Sequence, residues 1–348
     1  MQWFLLKRTI LVAGIALTMA AFASSGTVLD VTFHSPNLEG NLLGDSPDRA
    51  VSIYLPPDYD LNTATRYPVL YLLHGYAIDK SSWFEAANID DTADALIANG
   101  TIQPLIIVIP DGNNRYGGSW YVNSTVTGNW EDFIVHDLVT YIDNHFRTVA
   151  RPESRAIAGH SMGGFGALYI ATKHPETYRV VYAMSPYPLE LVEADSSSLP
   201  FEILATSAAI ADGTYATSDG AYLALAAAFS PNPDKPPAYV DLPYDKVDNK
   251  PHRVDSVWDR WVAYTPLAMV ADHAQDLRQL NGIAFDVATG DEIPILSGAL
   301  PYAQSLTEAD IPFRFELFEG GHRGQVAPRL KSVVLPYVSQ HLLGEPSQ

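Results

Sequence analysis

Ser161 is the residue in this chain whose sequence context most clearly indicates a chemical role. It lies in residues 159–163, which read G-H-S-M-G, between an apolar run at 155–158 and a helix-compatible segment at 165–174. The G-x-S-x-G pattern is typical of a sharp strand-to-helix turn that exposes a serine hydroxyl as a nucleophile. The same five residues also fit a glycine-rich turn whose serine only faces solvent. The rest of the chain has to separate these two interpretations.

A base and a carboxylate are needed to activate such a serine. After a turn of this kind the acid comes next along the chain and the histidine last, each in a loop that follows a strand. Asp291 follows a predicted strand at 283–288, and His322 follows a predicted strand at 313–318. Because order, spacing and strand context agree, we predict that Ser161, Asp291 and His322 form a catalytic triad.

Other side chains compete for these roles. Glu292 is next to Asp291, and Asp286 lies inside the predicted strand, where a buried structural carboxylate is the simpler interpretation. Among the other histidines, His160 precedes the serine and is expected to point elsewhere on the turn. His74 ends a predicted strand and is expected to support the loop that binds the oxyanion.

Two backbone amides are needed to hold the negative charge that develops on a substrate oxygen. The amide of Met162, at the start of the helix after the serine, is one predicted donor. The second donor is expected in the loop at 74–77, which reads H-G-Y-A and in which Gly75 permits a tight turn. We predict Tyr76 for this role, and Ala77 is the alternative.

The apolar pattern of the chain predicts an α/β fold with a mostly parallel sheet and helices on both faces. Residues 28–33 and 50–54 alternate apolar and polar residues, which predicts an antiparallel pair at the sheet edge. Buried strands are predicted at 67–73 and 105–109, and further strands at 155–158, 180–184, 283–288 and 313–318. Helices are predicted at 90–99, 130–146, 165–174, 298–309 and 326–343.

The regular alternation is lost at 186–282, which has alanine-rich helical pieces at 207–211 and 221–229 and a proline-rich stretch at 230–251. We interpret this segment as a cap or lid inserted into one domain at 24–348. An irregular connection is the alternative.

Five aromatic residues are candidates for the walls of a substrate cleft: Trp83, Trp120, Tyr121, Trp258 and Trp261. Large aromatic side chains also dominate protein cores, so burial in the core is the competing interpretation.

The first 23 residues have the layout of a secretory signal peptide. Lys7 and Arg8 precede an apolar run at 9–20, and residues 21–23 read A-F-A, which fits a cleavage site. We predict that 1–23 is removed and that the protein is periplasmic or secreted. A membrane anchor is the alternative, although the apolar run is short for a bilayer span.

Composition narrows the classes of function. The formal net charge of the 348-residue chain is −19, which disfavours nucleic acid and anionic membranes as partners. The absence of cysteine excludes disulfides and a thiol nucleophile.

The acidic pairs at 90–91 and 131–132 could bind a cation, but they also fit the first turn of a helix. We expect no cofactor, no metal ion and no stable membrane insertion after removal of the leader.

Several segments together resemble one known family. They are Y-P-V-L-Y-L-L-H-G at 67–75, W-Y-V-N-S at 120–124, G-N-W-E-D-F-I at 128–134, G-H-S-M-G-G-F-G-A-L at 159–168 and G-G-H at 320–322. In this order they resemble the esterase D-like family, which includes S-formylglutathione hydrolases, feruloyl and acetyl-xylan esterases and the mycobacterial mycolyltransferase antigens.

The resemblance implies an α/β-hydrolase fold, the triad Ser161, Asp291 and His322, and an oxyanion hole made by the amides of Tyr76 and Met162. We predict an exported serine carboxylic-ester hydrolase whose substrate is a small-molecule or carbohydrate ester, with acyl or feruloyl esters of carbohydrates as candidates. An acyltransferase that moves the acyl group to a sugar hydroxyl is one alternative. A non-catalytic carbohydrate- or surface-binding protein on the same scaffold is the other.

Overall fold

A computed structural model describes residues 25–191, 198–214 and 220–344. The predicted leader at 1–23 lies outside the described residues.

One eight-stranded sheet organises the chain. Its strands are β1 (Thr27–His34), β2 (Asp48–Leu55), β3 (Val69–Leu73), β4 (Ile106–Pro110), β5 (Arg155–His160), β6 (Val180–Met184), β7 (Gly282–Ala288) and β8 (Arg314–Phe318). Their order across the sheet is β1-β2-β4-β3-β5-β6-β7-β8. β1 pairs antiparallel with β2, β2 pairs antiparallel with β4, and the remaining neighbours are parallel. The predicted mostly parallel sheet with an antiparallel pair at its edge is confirmed.

Helices cover both faces of this sheet. The helices of the first part are α1 (Ser82–Ala87), α2 (Ile89–Ala98), a composite α3 (Trp130–Asp132, Phe133–Leu138 and Val139–His145) and α4 (Met162–Lys173). Those of the last part are α10 (Ile295–Glu308) and a composite α11 (Val326–Arg329, Leu330–Val334 and Leu335–His341). The middle segment of each composite helix is a π-helical turn. Short 3-10 turns lie at Pro36–Leu38 and Pro152–Ser154.

The core shows directly why both faces must be covered. Every residue of β3 is buried, and its successive side chains enter different hydrophobic clusters. Tyr71 and Leu73 pack in one cluster, whereas Leu70 and Leu72 pack in the other. Side chains alternate between the faces of a strand, so the two clusters lie on opposite sides of the sheet. A continuous apolar run such as β3 is typical of this arrangement.

The segment at 186–282 has more regular structure than its sequence suggests. It contains α5 (Leu199–Asp212), α6 (Ala221–Phe229), α7 (Asp255–Ala263), α8 (Pro266–Asp272) and α9 (Ala274–Leu277). A hairpin joins Tyr244–Val247 to Lys250–Arg253. The helix α1 and this hairpin were not predicted, because each strand or helix is too short to show a clear periodicity. Two-residue strands at Asn123–Ser124 and Gly128–Asn129 also pair.

This inserted segment shares the hydrophobic core of the main domain. Phe229 of α6 packs against Phe165 of α4 and Trp120, with ring centroids 5.5 and 6.3 Å apart. Trp261 of α7 is fully buried, and its Nε1 donates a hydrogen bond to Ser230 Oγ at 2.7 Å. The segment therefore contributes to the stability of the whole domain. Its role as a cap over Ser161 stays a prediction.

In the parts of the chain that the structure describes, no helix combines the length and the apolar composition needed to cross a bilayer.

We expect Trp261→Ala to lower the free energy of unfolding by about 3 to 5 kcal/mol, since it leaves a large cavity in a closed core. Phe201→Ala is the matched control, because the Phe201 ring lies in the same inserted segment but is 65% exposed. Urea unfolding of both variants and the wild type measures the difference. Equal unfolding midpoints for Trp261→Ala and the wild type would contradict the core position of this side chain.

Candidate active site

Ser161 occupies a strained turn between β5 and α4. Its backbone has φ 58° and ψ −118°, in the positive-φ region that residues with side chains rarely adopt. A Cβ at Gly159 would lie 2.8 Å from the carbonyl oxygen of Leu73, and one at Gly163 would lie 2.7 Å from that of His74. Each would also collide with a second carbonyl oxygen. Only glycine fits at these two positions, which explains the spacing of the motif.

Ser161, His322 and Asp291 form one chain of hydrogen bonds. The Nε2 atom of His322 is 2.9 Å from Ser161 Oγ, and its Nδ1 atom is 2.9 Å from Asp291 Oδ2. A carboxylate only accepts hydrogen bonds, so Nδ1 carries the proton and Nε2 is left to accept the serine O–H. The side chains of His322 and Asp291 are 4% and 1% exposed. The structure therefore brings the three predicted residues together in the arrangement that activates a serine.

The loops that carry Asp291 and His322 are joined by backbone hydrogen bonds. The Thr289 amide donates to the carbonyl of Phe318 at 2.8 Å, and the Gly290 amide donates to that of Gly320 at 3.0 Å. A Cβ at Gly290 would lie 2.9 Å from the carbonyl oxygen of Gly320, so the glycine permits this close approach. The parallel strands β7 and β8 thus continue as paired loops that place the acid next to the histidine.

The two alternative acids have other partners. Glu292 Oε2 accepts the backbone N–H of His322 at 3.1 Å instead of contacting its ring. Asp286 is fully buried, and its Oδ2 accepts hydrogen bonds from Arg329 Nε at 2.6 Å and from the Tyr182 hydroxyl at 2.7 Å. Burial raises the pKa of Asp286, and the guanidinium of Arg329 opposes part of that rise. Asp291 is accordingly the carboxylate that the geometry associates with the imidazole.

His160 contacts His322, a contact that the sequence does not predict. Its Nε2 atom lies 2.8 Å from the carbonyl oxygen of His322, and the two imidazole rings are 4.6 Å apart. Burial lowers the pKa of His160 to about 3, with the neighbouring His322 adding to the effect. The expectation that His160 points elsewhere holds for the serine but not for His322. His160 occupies a variable position of the G-x-S-x-G motif, so the motif itself gives no indication of this contact.

The loop at 74–77 runs beside the serine. A Cβ at Gly75 would lie 3.5 Å from Ser161 Cβ. The amide of Ala77 donates to the carbonyl of Gly117 at 2.9 Å, which removes Ala77 as a donor and favours the Tyr76 amide. Met162 is the first residue of α4, where backbone N–H groups have no partner within the helix. The loop that carries Tyr76 therefore runs next to Ser161, Met162 follows the serine directly, and the role of both amides in an oxyanion hole stays a prediction.

The His74 side chain supports this loop, as expected. Its Nδ1 donates to the carbonyl of Gly75 in the loop at 2.8 Å, and its Nε2 accepts the amide N–H of Gly112 at 2.8 Å. The backbone carbonyl of His74 accepts the hydroxyl of Tyr121 at 3.0 Å.

The five aromatic residues proposed for the substrate cleft lie in the core, which corrects that expectation. Trp83 belongs to one hydrophobic cluster, and the other four belong to the cluster on the opposite face. All are buried, with exposed fractions of 7% or less: Trp83, Trp120, Tyr121, Trp258 and Trp261. Their rings are engaged in packing, so they offer little surface to a ligand.

Comparisons with known proteins give one consistent family. A sequence model of the family described as "Putative esterase" matches residues 46–323. An esterase of Mycobacterium tuberculosis is 42% identical over 129 residues, which cover 36% of this chain and 26% of that protein. An endo-1,4-beta-xylanase/feruloyl esterase of Xylanibacter ruminicola is 33% identical over 158 residues, which cover 44% of this chain and 20% of that protein. The aligned parts span about a quarter or less of these curated relatives.

Solved structures resemble the chain over almost its whole length. A ferulic acid esterase aligns with a TM-score of 0.65 at 24% identity, over 91% of this chain and 99% of its own. An S-formylglutathione hydrolase from Agrobacterium tumefaciens aligns with a TM-score of 0.60 at 18% identity, over 92% and 97%. These similarities confirm the α/β-hydrolase fold that the sequence predicts.

We expect a fluorophosphonate to label Ser161 and Asp291→Asn to slow labelling by about a thousand-fold or more, because an amide favours the wrong imidazole tautomer. Glu292→Gln is the matched control, since its amide oxygen can still accept the His322 N–H, and we expect a far smaller loss. Labelling rates from gel fluorescence or intact mass measure both. A reversed order of the two losses would identify Glu292 as the acid.

Proposed function

The chain belongs to the putative esterase family, and from this membership we propose that it is a serine carboxylic-ester hydrolase. The observation that carries the proposal is the unbroken hydrogen-bonded series from Asp291 through His322 to Ser161, with both contacts at 2.9 Å. A solvent-facing serine in an ordinary turn needs no such partners. The family membership adds the reaction class, and the geometry supplies residues that are able to perform it.

In the proposed first step, His322 Nε2 takes the hydroxyl proton as Ser161 Oγ attacks the ester carbonyl carbon. The carbonyl oxygen becomes negatively charged and is held by the backbone N–H groups of Tyr76 and Met162. Asp291 stabilises the imidazolium that forms. When the tetrahedral intermediate collapses, the bond from carbon to the alcohol oxygen breaks, and His322 donates its proton to the leaving alcohol.

The proposed second step repeats this chemistry with water. His322 accepts a proton from a water molecule, whose oxygen attacks the carbonyl carbon of the acyl-enzyme. The same two amides hold the second oxyanion. The bond from carbon to Ser161 Oγ then breaks, the serine takes back the proton from His322, and a carboxylic acid is released.

For the substrate we propose acyl esters of carbohydrates, with feruloyl esters among them. The names of the xylanase/feruloyl esterase relative and of the ferulic acid esterase neighbour support this class. The leader predicted at 1–23 supports export to the periplasm or the medium, where polysaccharide esters are found. The aromatic side chains of the core do not contribute to the proposal, because they are closed to a ligand.

We expect Ser161→Ala to lower kcat on p-nitrophenyl acetate by on the order of a million-fold, as loss of a triad nucleophile does elsewhere. Ser297→Ala is the matched control, since this exposed serine only donates to the Pro294 carbonyl. Unfolding midpoints check that both variants fold. If Ser161→Ala retains more than about one percent of wild-type activity, Ser161 is not the nucleophile, because loss of a nucleophile costs far more.

A panel of esters defines the acyl and alcohol preference. We expect feruloyl and acetyl sugars to have higher kcat/KM than p-nitrophenyl esters of long fatty acids. Product analysis with and without an added sugar separates the hydrolase from the acyltransferase, because only the latter moves the acyl group to the sugar when water competes. Transfer that exceeds hydrolysis would assign the alternative activity.

A further inference from the structure

Both backbone polar groups of His322 are held by side chains from other loops. The carbonyl oxygen accepts a hydrogen bond from His160 Nε2 at 2.8 Å, and the amide donates to Glu292 Oε2 at 3.1 Å. His160 directly precedes Ser161, and Glu292 directly follows Asp291. The nucleophile loop and the acid loop therefore each contact His322 twice, once at its ring and once at its backbone.

We propose that His160 and Glu292 are positioning residues that clamp the backbone of His322 and thereby hold its imidazole between Asp291 and Ser161. The inference rests on the proposed function, since it concerns the base of that reaction. In this proposal both residues act through His322 and neither contacts the substrate.

The loop around His322 explains the need for a clamp. Residues 319–325 read E-G-G-H-R-G-Q, so glycines stand on both sides of the histidine. Glycine loses more conformational freedom on folding than any other residue, which leaves such a loop weakly constrained by its own backbone. Gly320 has φ 148°, a conformation that L side chains rarely adopt. Fixing the N–H and the C=O of His322 restricts the rotation that would swing the imidazole away.

The protonation state of His160 suits this role. The carbonyl of His322 can only accept a hydrogen bond, so the proton of a neutral His160 must be on Nε2. Its side chain is buried, and burial lowers its pKa to about 3, so His160 is neutral at physiological pH. A neutral ring also avoids repulsion when the adjacent His322 becomes an imidazolium in the proposed reaction. The contact therefore survives the proton transfer.

The Glu292 contact could act through charge as well as through position. A carboxylate near His322 would stabilise an imidazolium even if it held nothing in place. Glu292→Gln separates the two effects, because the amide keeps an acceptor oxygen and removes the charge. The same logic applies at His160, where Gln offers an N–H at nearly the position of Nε2 and Leu fills similar volume without a donor.

The test uses four single variants, His160→Gln, His160→Leu, Glu292→Gln and Glu292→Leu, and the double Leu variant. We expect each Leu variant to lower kcat by about 10- to 100-fold, as small misplacements of reacting groups do, with KM changed by less than about two-fold. The rate of labelling by a fluorophosphonate should fall in parallel. Each Gln variant should stay within about five-fold of wild-type kcat.

The double Leu variant tests whether the two contacts act on one element. Because both contacts hold the backbone of one residue, the loss in kcat of the double variant should be smaller than the product of the two single losses. A multiplicative loss would overturn the clamp.

Wild-type protein is assayed first, so that failure of the proposed hydrolase function can be distinguished from failure of the clamp. Absence of both ester hydrolysis and Ser161 labelling in the wild type overturns the proposed function. An active wild type whose Leu variants keep their kcat overturns the clamp, as does a Gln variant that loses as much kcat as its Leu counterpart. If His160→Leu does not fold by circular dichroism, His160→Gln decides: kcat within five-fold supports the clamp, and a loss equal to that of Glu292→Leu overturns it.

Discussion

The close approach of three backbone segments at the turn between β5 and α4 is the constraint on which the site depends. No side chain fits at Gly159 or Gly163, because a Cβ there would meet the carbonyl oxygens of Leu73 and His74. The turn can therefore be tight enough to hold Ser161 at φ 58°. The Ser161 amide then donates inward to the carbonyl of Met184 at 2.9 Å. The strain is retained because the surrounding sheet and helix leave no alternative path for the chain.

The rest of the site follows from the parallel sheet around this turn. The carboxyl ends of β3, β5, β7 and β8 lie at one edge, so the loops after them meet. The loops after β7 and β8 remain paired by the Gly290–Gly320 and Thr289–Phe318 hydrogen bonds. His322 is contacted both by the turn that carries Ser161 and by the loop that carries Asp291. Displacement of any one loop would therefore move the histidine relative to its partners.

Sequence patterns predicted the sheet and the residues that the site brings together, but not the surroundings of those residues. The period of apolar residues defines a strand wherever it is regular, and the glycines around Ser161 report a steric requirement. Aromatic identity carries no such geometric information, so the cleft proposed from Trp83 and Trp258 proved to be core. The contact of His160 with His322 joins residues far apart in the chain. Such a contact depends on tertiary packing, which a local motif does not encode.

Asp286 and Asp291 show how position relative to the end of one strand decides what a carboxylate can do. Asp286 lies within β7, where Arg329 Nε contacts its Oδ2 at 2.6 Å, and the same guanidinium contacts Glu316 of β8 at 2.7 Å. Removing one partner would leave a buried charge uncompensated, so this network fixes the first turn of α11 against the sheet. Asp291 lies beyond the strand end and contacts His322 instead. Of these two carboxylates, one within β7 and one in the loop after it, only Asp291 contacts the imidazole and can orient it.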